Sequence, residues 1–544
     1  MDRPDPLEQD SLTPDRFGHC PALWLALPLL VGASLDAALA INPGPWLAGG
    51  FMALALAWAG HRTAGFAMCA LACAGIALGA AWHHLRAPPR EPPTLRRAFV
   101  ELPLRIERAT PRPNDEGWSG LGWVTDRDDA LFRRRVAISA RGPCPAEGGE
   151  LMVAGGLAPL DAGAEGYDAW LRSQGATLKL RGGRVLGELA PAPRFARWRQ
   201  AQQARLEAWL RALPWEDPGG GAMLAATMLG RTALLPADAK AAFAATGTLH
   251  LFAISGLHIA GMAAILLWCA RRARLPDVPA GLAILALLWL YVQVTGASPS
   301  SVRAWIMAAF LWGGRLGGRA TPALQSLALA CAVTLLLTPE ACADAGFQLS
   351  YATVLAIIVA GGPAARLLSE PGREERLTPA AARSPGRRLR ARVRAFVLGG
   401  LAISTAATLA GAPLALGLFG ATSSGGVFMN LVLVPLSEIP LLLGMASVAL
   451  SVSDRLAGPA AWLNGAASLV LRAMGWLAEV GAGLPGMQLE LTLPHHWLGP
   501  AGAALLATVF LAQAQARRVR LLLGVPAAAF MAWLLLVLLW RAAS

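Results

Sequence analysis

Lysine is almost absent: Lys179 and Lys240 are the only two in 544 residues, so the formal charge of +13 is carried nearly entirely by arginine. Charged residues of both signs make up only 15%, too few to solvate an ordinary soluble surface of this size. There is no G-x-x-x-x-G-K-[ST] loop, which excludes a built-in phosphate-loop motor. The eight histidines show no ligand spacing with one another or with Asp and Glu, and the seven cysteines show no zinc spacing. Cys69 and Cys73 lie one turn apart in an apolar stretch, Cys20, Cys269 and Cys331 lie in or beside apolar segments, and Cys144 and Cys342 stand alone. No metal and no cofactor is expected. A Cys144–Cys342 disulfide would require both residues on an oxidising side, which the orientation inferred below allows and nothing demands.

Apolar residues, by contrast, account for 55% of the chain, and the mean hydropathy is +0.48, the signature of a protein whose main solvent is lipid. The expected fold class is a polytopic α-helical membrane protein with an inserted small β-barrel. Thirteen stretches approach the ~20 residues that cross ~30 Å of hydrocarbon, at about 21–41, 44–60, 64–82, 250–270, 278–295, 299–314, 322–337, 345–364, 396–420, 427–452, 459–482, 497–515 and 521–540. The first lacks the basic flank and small-residue cleavage site of a signal peptide. Alternate loops carry Arg271, Arg272 and Arg274; Arg315 and Arg319; nine arginines against three glutamates between Arg366 and Arg394; Arg455; and Arg517, Arg518 and Arg520. The intervening loops at 296–298, 339–344, 421–426 and 483–496 carry no Arg or Lys. That asymmetry predicts a cytoplasmic N-terminus, with Arg62 in a cytoplasmic loop and the opposite side of the membrane holding the β domain and the C-terminus.

Between 99 and 190 the pattern changes to short alternating runs, LPLRIER, GWVTD, RRVAIS and LMVAGG, divided by Gly, Pro and Asp clusters, with one helical stretch near 165–174. A small five-stranded barrel is expected there. Its charge is balanced, 12 basic against 13 acidic residues, so Arg133, Arg134 and Arg135 are a local cluster beside Asp126, Asp128 and Asp129 rather than part of a basic face. Residues 194–213 read as an amphipathic helix that sets Phe195, Trp198, Leu206, Trp209, Leu210 and Leu213 against Arg194, Arg197, Arg199, Arg205 and Arg211, a pattern suited to a membrane surface. The apolar segments at 219–230 and 236–246 are too short to cross singly and are expected to be re-entrant or packed against the helical body.

The most informative stretch is 246–262, TGTLHLFAISGLHIAGM, because it puts His250, Ser255 and His258 inside an apolar segment. On a continuous helix, at about 100° per residue, these three fall within an arc of roughly 140°. Ala253, Gly256 and Ala260 would form a small-residue stripe, and Gly256 after Ser255 also permits a local break. Ser255 with His258 lacks the G-x-S-x-G elbow and any nearby acid, so a nucleophile–base pair is the weaker reading beside interhelical hydrogen bonding. Elsewhere Ser298 and Pro299 read as the cap and first turn of a helix with Arg303 one turn inside. Gln348, Ser350 and Tyr351 form a polar group near the outer end of another span, and Asn430, Pro435, Glu438 and Pro440 predict a broken helix.

HLFAISGLHIAGM resembles the signature of the ComEC family of bacterial competence proteins, and TGASPSSVRAWIMA at 295–308, TPEACADAGFQLSYATVLA at 338–356 and FMNLVLVPL at 428–436 resemble further blocks of that family in the same order. The resemblance covers about 220–450 and implies an inner-membrane channel that carries single-stranded DNA into the cytoplasm during natural transformation. YDAWLRSQGATLKLR resembles the end of that family's OB-fold-like domain. The implied organisation is 1–98, N-terminal transmembrane segments; 99–190, an OB-fold-like periplasmic domain; 191–246, amphipathic and re-entrant helices; and 247–544, the channel. His250, Ser255, Gly256, His258, Arg303, Gln348, Ser350 and Asn430 become candidates to line a DNA path, with Arg133, Arg134, Arg135, Arg197 and Arg199 as candidate DNA contacts in the soluble parts. The implied partners are single-stranded DNA, the lipid membrane, a cytosolic DNA motor or single-strand-binding proteins, a periplasmic DNA receptor and further copies of the chain. Many family members also carry a metallo-β-lactamase-like domain with an H-x-H-x-D-H motif. This sequence has no such motif, so strand degradation is not carried over. The rival readings are an ion-coupled transporter of small solutes and, more remotely, an intramembrane hydrolase using Ser255 and His258.

Overall fold

The computed structural model describes residues 20–543 apart from 40–41, 61–62, 87–97, 113–116, 130, 161–167, 169–170, 173, 319–320, 371–383, 452, 496 and 515–517. Most of the helical stretch expected near 165–174 lies outside the described residues, as do Arg62, Arg319, Arg517 and the middle of the arginine-rich loop.

Three N-terminal helices, α1 (Pro21–Leu39), α2 (Pro43–Ala59) and α3 (Ala64–Arg86), lead into the β domain. Glycine sets their spacing. A Cβ on Gly32 would stand 1.9 Å from the Ile76 carbonyl oxygen, and one on Gly79 would stand 2.7 Å from that of Leu29, so α1 and α3 touch backbone to backbone.

The β domain is a closed barrel in which β1 (Ala98–Pro111), β2 (Gly117–Val124), β3 (Arg135–Arg141), β5 (Ala176–Ala190) and β4 (Glu150–Pro159) neighbour one another in that order. All neighbours are antiparallel except β3 and β5. The period-two alternation read from the sequence explains the register: Leu102, Leu104 and Ile106 all point inward, and Trp118, Val136, Ile138, Leu178 and Leu180 close the core around them.

A chain of helices follows: α4 (Arg194–Arg211), α5 (Pro218–Leu229), α6 (Ala237–Ala245), α7 (Gly256–Arg272), α8 (Asp277–Val294), α9 (Pro299–Leu316) and α10 (Ala323–Leu337). Next, α11 (Ala345–Ala356) passes through a π turn at Ile357–Gly361 into α12 (Gly362–Ser369). The remainder is α13 (Pro385–Phe419), α14 (Gly426–Leu450), α15 (Ala457–Ala482), α16 (Leu498–Gln513) and α17 (Val525–Ala543). A helix stands at each of the thirteen places where the sequence predicts a span. Among the described residues seven helices are long and apolar enough to cross a membrane, and two shorter apolar helices, α10 and α16, accompany them.

The largest core surrounds α5. Every residue from Gly220 to Leu229 is buried, against α4, α6, α14 and α15. At ~1.5 Å per residue twelve residues reach about 18 Å, so α5 is a packed core helix rather than a crossing. The amphipathic α4 rests on this body rather than lying free. Leu210 is fully buried, Trp209 Nε1 donates to the Ser447 carbonyl and hydroxyl at 3.1 Å, and Asn464 Nδ2 donates to the Trp209 carbonyl at 2.8 Å.

Two expectations need correction. The 250–270 segment is not one continuous helix: a short 3-10 turn at Leu249–Phe252 ends in extended Ala253, and α7 begins only at Gly256. Ala253 therefore precedes the helix and Ala260 is exposed, so the expected small-residue stripe does not form. Conversely, α14 runs on through Pro435 and Pro440 where a break was expected. Its packing against α15 supports the axis, and the Ser437 hydroxyl bonds the Val434 carbonyl at 2.7 Å across Pro435.

Candidate functional site: a polar cluster at the start of α7

The break before α7 is held from outside the segment. Ser300 Oγ donates to the Ile254 carbonyl, tying the extended turn to the first turn of α9. Within the turn, Ser255 takes the N-cap position, and both its hydroxyl (2.9 Å) and its backbone N–H (3.4 Å) approach Nδ1 of His258, the third residue of the helix. Nδ1 thus accepts, and the ring carries its proton on Nε2. This is helix capping, and among the described residues no carboxylate orients the ring. His250 has its Nδ1 bonded to the Gly247 carbonyl at 3.0 Å and is exposed.

Ser298 caps α9 and Pro299 opens it, as the sequence predicts, and Arg303 follows one turn later. Arg303 is 4% exposed. Its Nη1 donates to the carbonyl and hydroxyl of Ser350 on α11, and its guanidinium stands 5.6 Å from the centre of the Tyr351 ring. Tyr351 is in turn held by Thr334 at 3.2 Å. No acidic side chain pairs with Arg303 among the described residues, and its Nε is buried without an acceptor. A buried cation satisfied only by neutral dipoles is costly, which separates this arginine from one held in a structural ion pair.

Ser255, Gly256, His258, Arg303 and Ser350 therefore meet where α7, α9 and α11 converge. Gln348 lies on the same helix as Ser350 but turns to the Cys342 carbonyl at 2.8 Å. Asn430 is elsewhere, on α14, donating to Ser404 of α13 at 3.1 Å, with its own carbonyl oxygen buried and unmet.

The β domain sits close by. Gln174 donates to Asp344, whose other carboxylate oxygen caps α11 at the Phe347 N–H, 2.8 Å away. Between the barrel and the helix ends lies an open cavity of about 700 Å³, lined by Arg86, Arg105, Arg127, Arg133, Trp123 and Phe132, with Glu107, Glu150 and Glu340 at its walls. Of the candidate barrel arginines only Arg133 faces this space. Arg134 is half-buried, and Arg135 is buried, bonded to Glu107 at 2.8 Å and to the Gln174 carbonyl and stacked on Trp123. On α4, Arg197 is exposed, whereas Arg199 pairs with Glu147.

Residues 227–516, more than half of the chain, match the Competence protein family. The chain belongs to the competence protein family. Its polar cluster and the helices that carry it all fall within the competence domain. The chain is also 36% identical over 118 residues to ComE operon protein 3 of Bacillus subtilis (strain 168), an alignment that spans 22% of this chain and 15% of that relative. No solved structure matches.

Sequence reasoning named Tyr351 with Gln348 and Ser350 but passed over two other residues. Ser300 carries no signal beyond its polarity, since its role exists only once α7 and α9 meet. The other lies away from the cluster: Asp36, buried in α1 and bonded to Nδ1 of His83 at 2.8 Å and of His84 at 3.2 Å. An acid inside an apolar span is itself a signal and could have been read. Among the described residues no group of three or more His, Cys, Asp or Glu side chains is placed to hold a metal, and no two cysteines are joined in a disulfide.

Proposed function

We propose that this competence protein is a bacterial inner-membrane conduit through which one DNA strand enters the cytoplasm during transformation. The observation that carries the reading is Arg303: a buried cation with no acidic partner among the described residues, at the meeting point of three helices of the competence domain. A strand bears one negative charge per ~3.4 Å, so its path must offer cationic or hydrated groups. Ser255, His258 and Ser350 are the neighbouring polar groups of that path, with Gln348, His250 and Asn430 further along it.

The β domain supports an entry role. Its strand order, with β1 closing on β4 and β3 running parallel to β5, suits an OB-fold, and the arginine and aromatic side chains of the adjoining cavity suit an unpaired strand. Contacts among the basic-poor loops support the inferred orientation. The Gly425 N–H bonds the Met487 carbonyl, β6 (Ala421–Ser423) pairs with β7 (Gln488–Glu490), and the barrel touches Asp344. These segments would lie together on the periplasmic side, with the arginine-rich loops in the cytoplasm beside a separate motor. On this reading thirteen helices cross the membrane.

The test is uptake of labelled duplex DNA into a protease-protected single-stranded pool, comparing wild type, a deletion, and the deletion complemented with Arg303→Ala or His258→Ala. The expected result is loss of import in the deletion with external binding retained, and strong impairment with Arg303→Ala. Normal import in the deletion would overturn the conduit reading in favour of an ion-coupled solute transporter.

A further inference from the structure

Two positive ends face each other at the polar cluster. Arg303 Nη2 makes no hydrogen bond among the described residues and stands 3.7 Å from the place where a Cβ on Gly256 would lie. Gly256 is the first residue of a 17-residue helix, so its N–H has no intrahelical acceptor and the aligned peptide dipoles place partial positive charge there. The guanidinium beside it is 4% exposed, and its Nε also lacks an acceptor. Packing a fixed cation against the positive end of a helix is unfavourable, and among the described residues no acidic side chain stands between them to offset it. One oxyanion would satisfy the amide and the guanidinium together.

We propose that the first turn of α7 and Arg303 form a seat for a single phosphodiester of the passing strand, an inference that rests on the conduit reading above. Ser350 and the Tyr351 ring hold the guanidinium at its far edge and leave Nη2 turned to the seat. One arginine and one helix end bind a phosphate without trapping it, which a conduit requires of any site that must also release its cargo. Gly256 keeps the gap open. An alanine there would meet Nη2 at 3.7 Å and the Ala304 Cβ at 3.8 Å, both ordinary contacts, so the helix would accept the methyl while the methyl shields the amide.

The test uses the full chain in phosphatidylcholine nanodiscs and a fluorescent oligothymidylate titrated across a salt series. With R303Q the slope of log K against log salt should fall by about 0.7, the share of one single-strand phosphate. R303K should keep most of that slope. G256A, with unchanged thermal melting, should bind several-fold more weakly, while an oligomer with uncharged methylphosphonate linkages should not distinguish the variants. A wild-type slope in R303Q together with wild-type affinity in G256A would overturn the seat and leave the conduit standing. Failure of the wild type to bind the strand at all would overturn both. If phosphatidylglycerol in the discs abolishes the slope difference between wild type and R303Q, a lipid headgroup occupies the seat and the strand assignment falls. Equal differences in both lipids support it.

Discussion

Single side chains divide here into those whose surroundings are local and those whose surroundings are assembled. Cys144 shows how much environment matters. It stands half-buried between β3 and β4, its carbonyl accepts from Gln200, and burial pushes its thiol up to about 11, with Arg231 opposing and Glu147 adding to the shift. A raised thiol stays protonated, so in a variant keeping only this cysteine, iodoacetamide at pH 8 should react at least about tenfold more slowly than with a free thiol of pKa ~8.5, the smaller thiolate fraction being offset in part by the greater nucleophilicity of a more basic thiolate. The rate should climb as pH approaches 11. A rate matching a small-molecule thiol at pH 8 would show that Cys144 is not shielded. Arg303 was recognisable in the sequence as a cation inside a span, but not its partners. Ser350 lies 47 residues away, and nothing local announces that their helices converge. The same holds for Arg135, which looks like its neighbours in the sequence and differs from them only because Glu107 and Trp123 enclose it.

Elements were legible wherever one physical signal dominated. Long apolar runs placed the helices, and period-two alternation placed the strands, because both patterns follow directly from which side chains must leave water. The break before α7 was not decided by its own residues. Ser255 and Gly256 permit it, and the bond from Ser300 to Ile254 selects it. Likewise Pro435 and Pro440 weaken α14 locally, and packing against α15 prevails. The contact of α1 with α3 depends on glycine in a way that can be tested. A side chain at position 32 would collide with the Ile76 backbone, which cannot retreat within its helix. Gly32→Val should destabilise the N-terminal helices by about 1–3 kcal/mol, the usual cost of overpacking, read as a lower melting temperature in detergent. An unchanged melting temperature would mean that the two helices are free to separate.

For the whole molecule, orientation is the property most open to direct measurement. In a background without other cysteines, Arg133→Cys on the exposed barrel surface should react with a membrane-impermeant maleimide added to spheroplasts, and Arg518→Cys only after permeabilisation. The opposite pattern would invert the assignment of sides. The docking of barrel on helices could not be foreseen from sequence, since Gln174 and Asp344 lie 170 residues apart and neither belongs to a recognisable motif. The length of α13 bears on what lies at the other face. Its 35 residues extend about 52 Å at ~1.5 Å each, against ~30 Å of hydrocarbon, and its excess begins with Arg387, Arg388, Arg390, Arg392 and Arg394. Ser404, further along the same rod, holds Asn430 of α14. In mechanical terms, on the orientation proposed above, α13 would be a lever with its handle outside the bilayer and its load inside. If the proposed conduit is driven from the cytosol, a tilt imposed on the arginine end would reach α14 through Ser404 and Asn430.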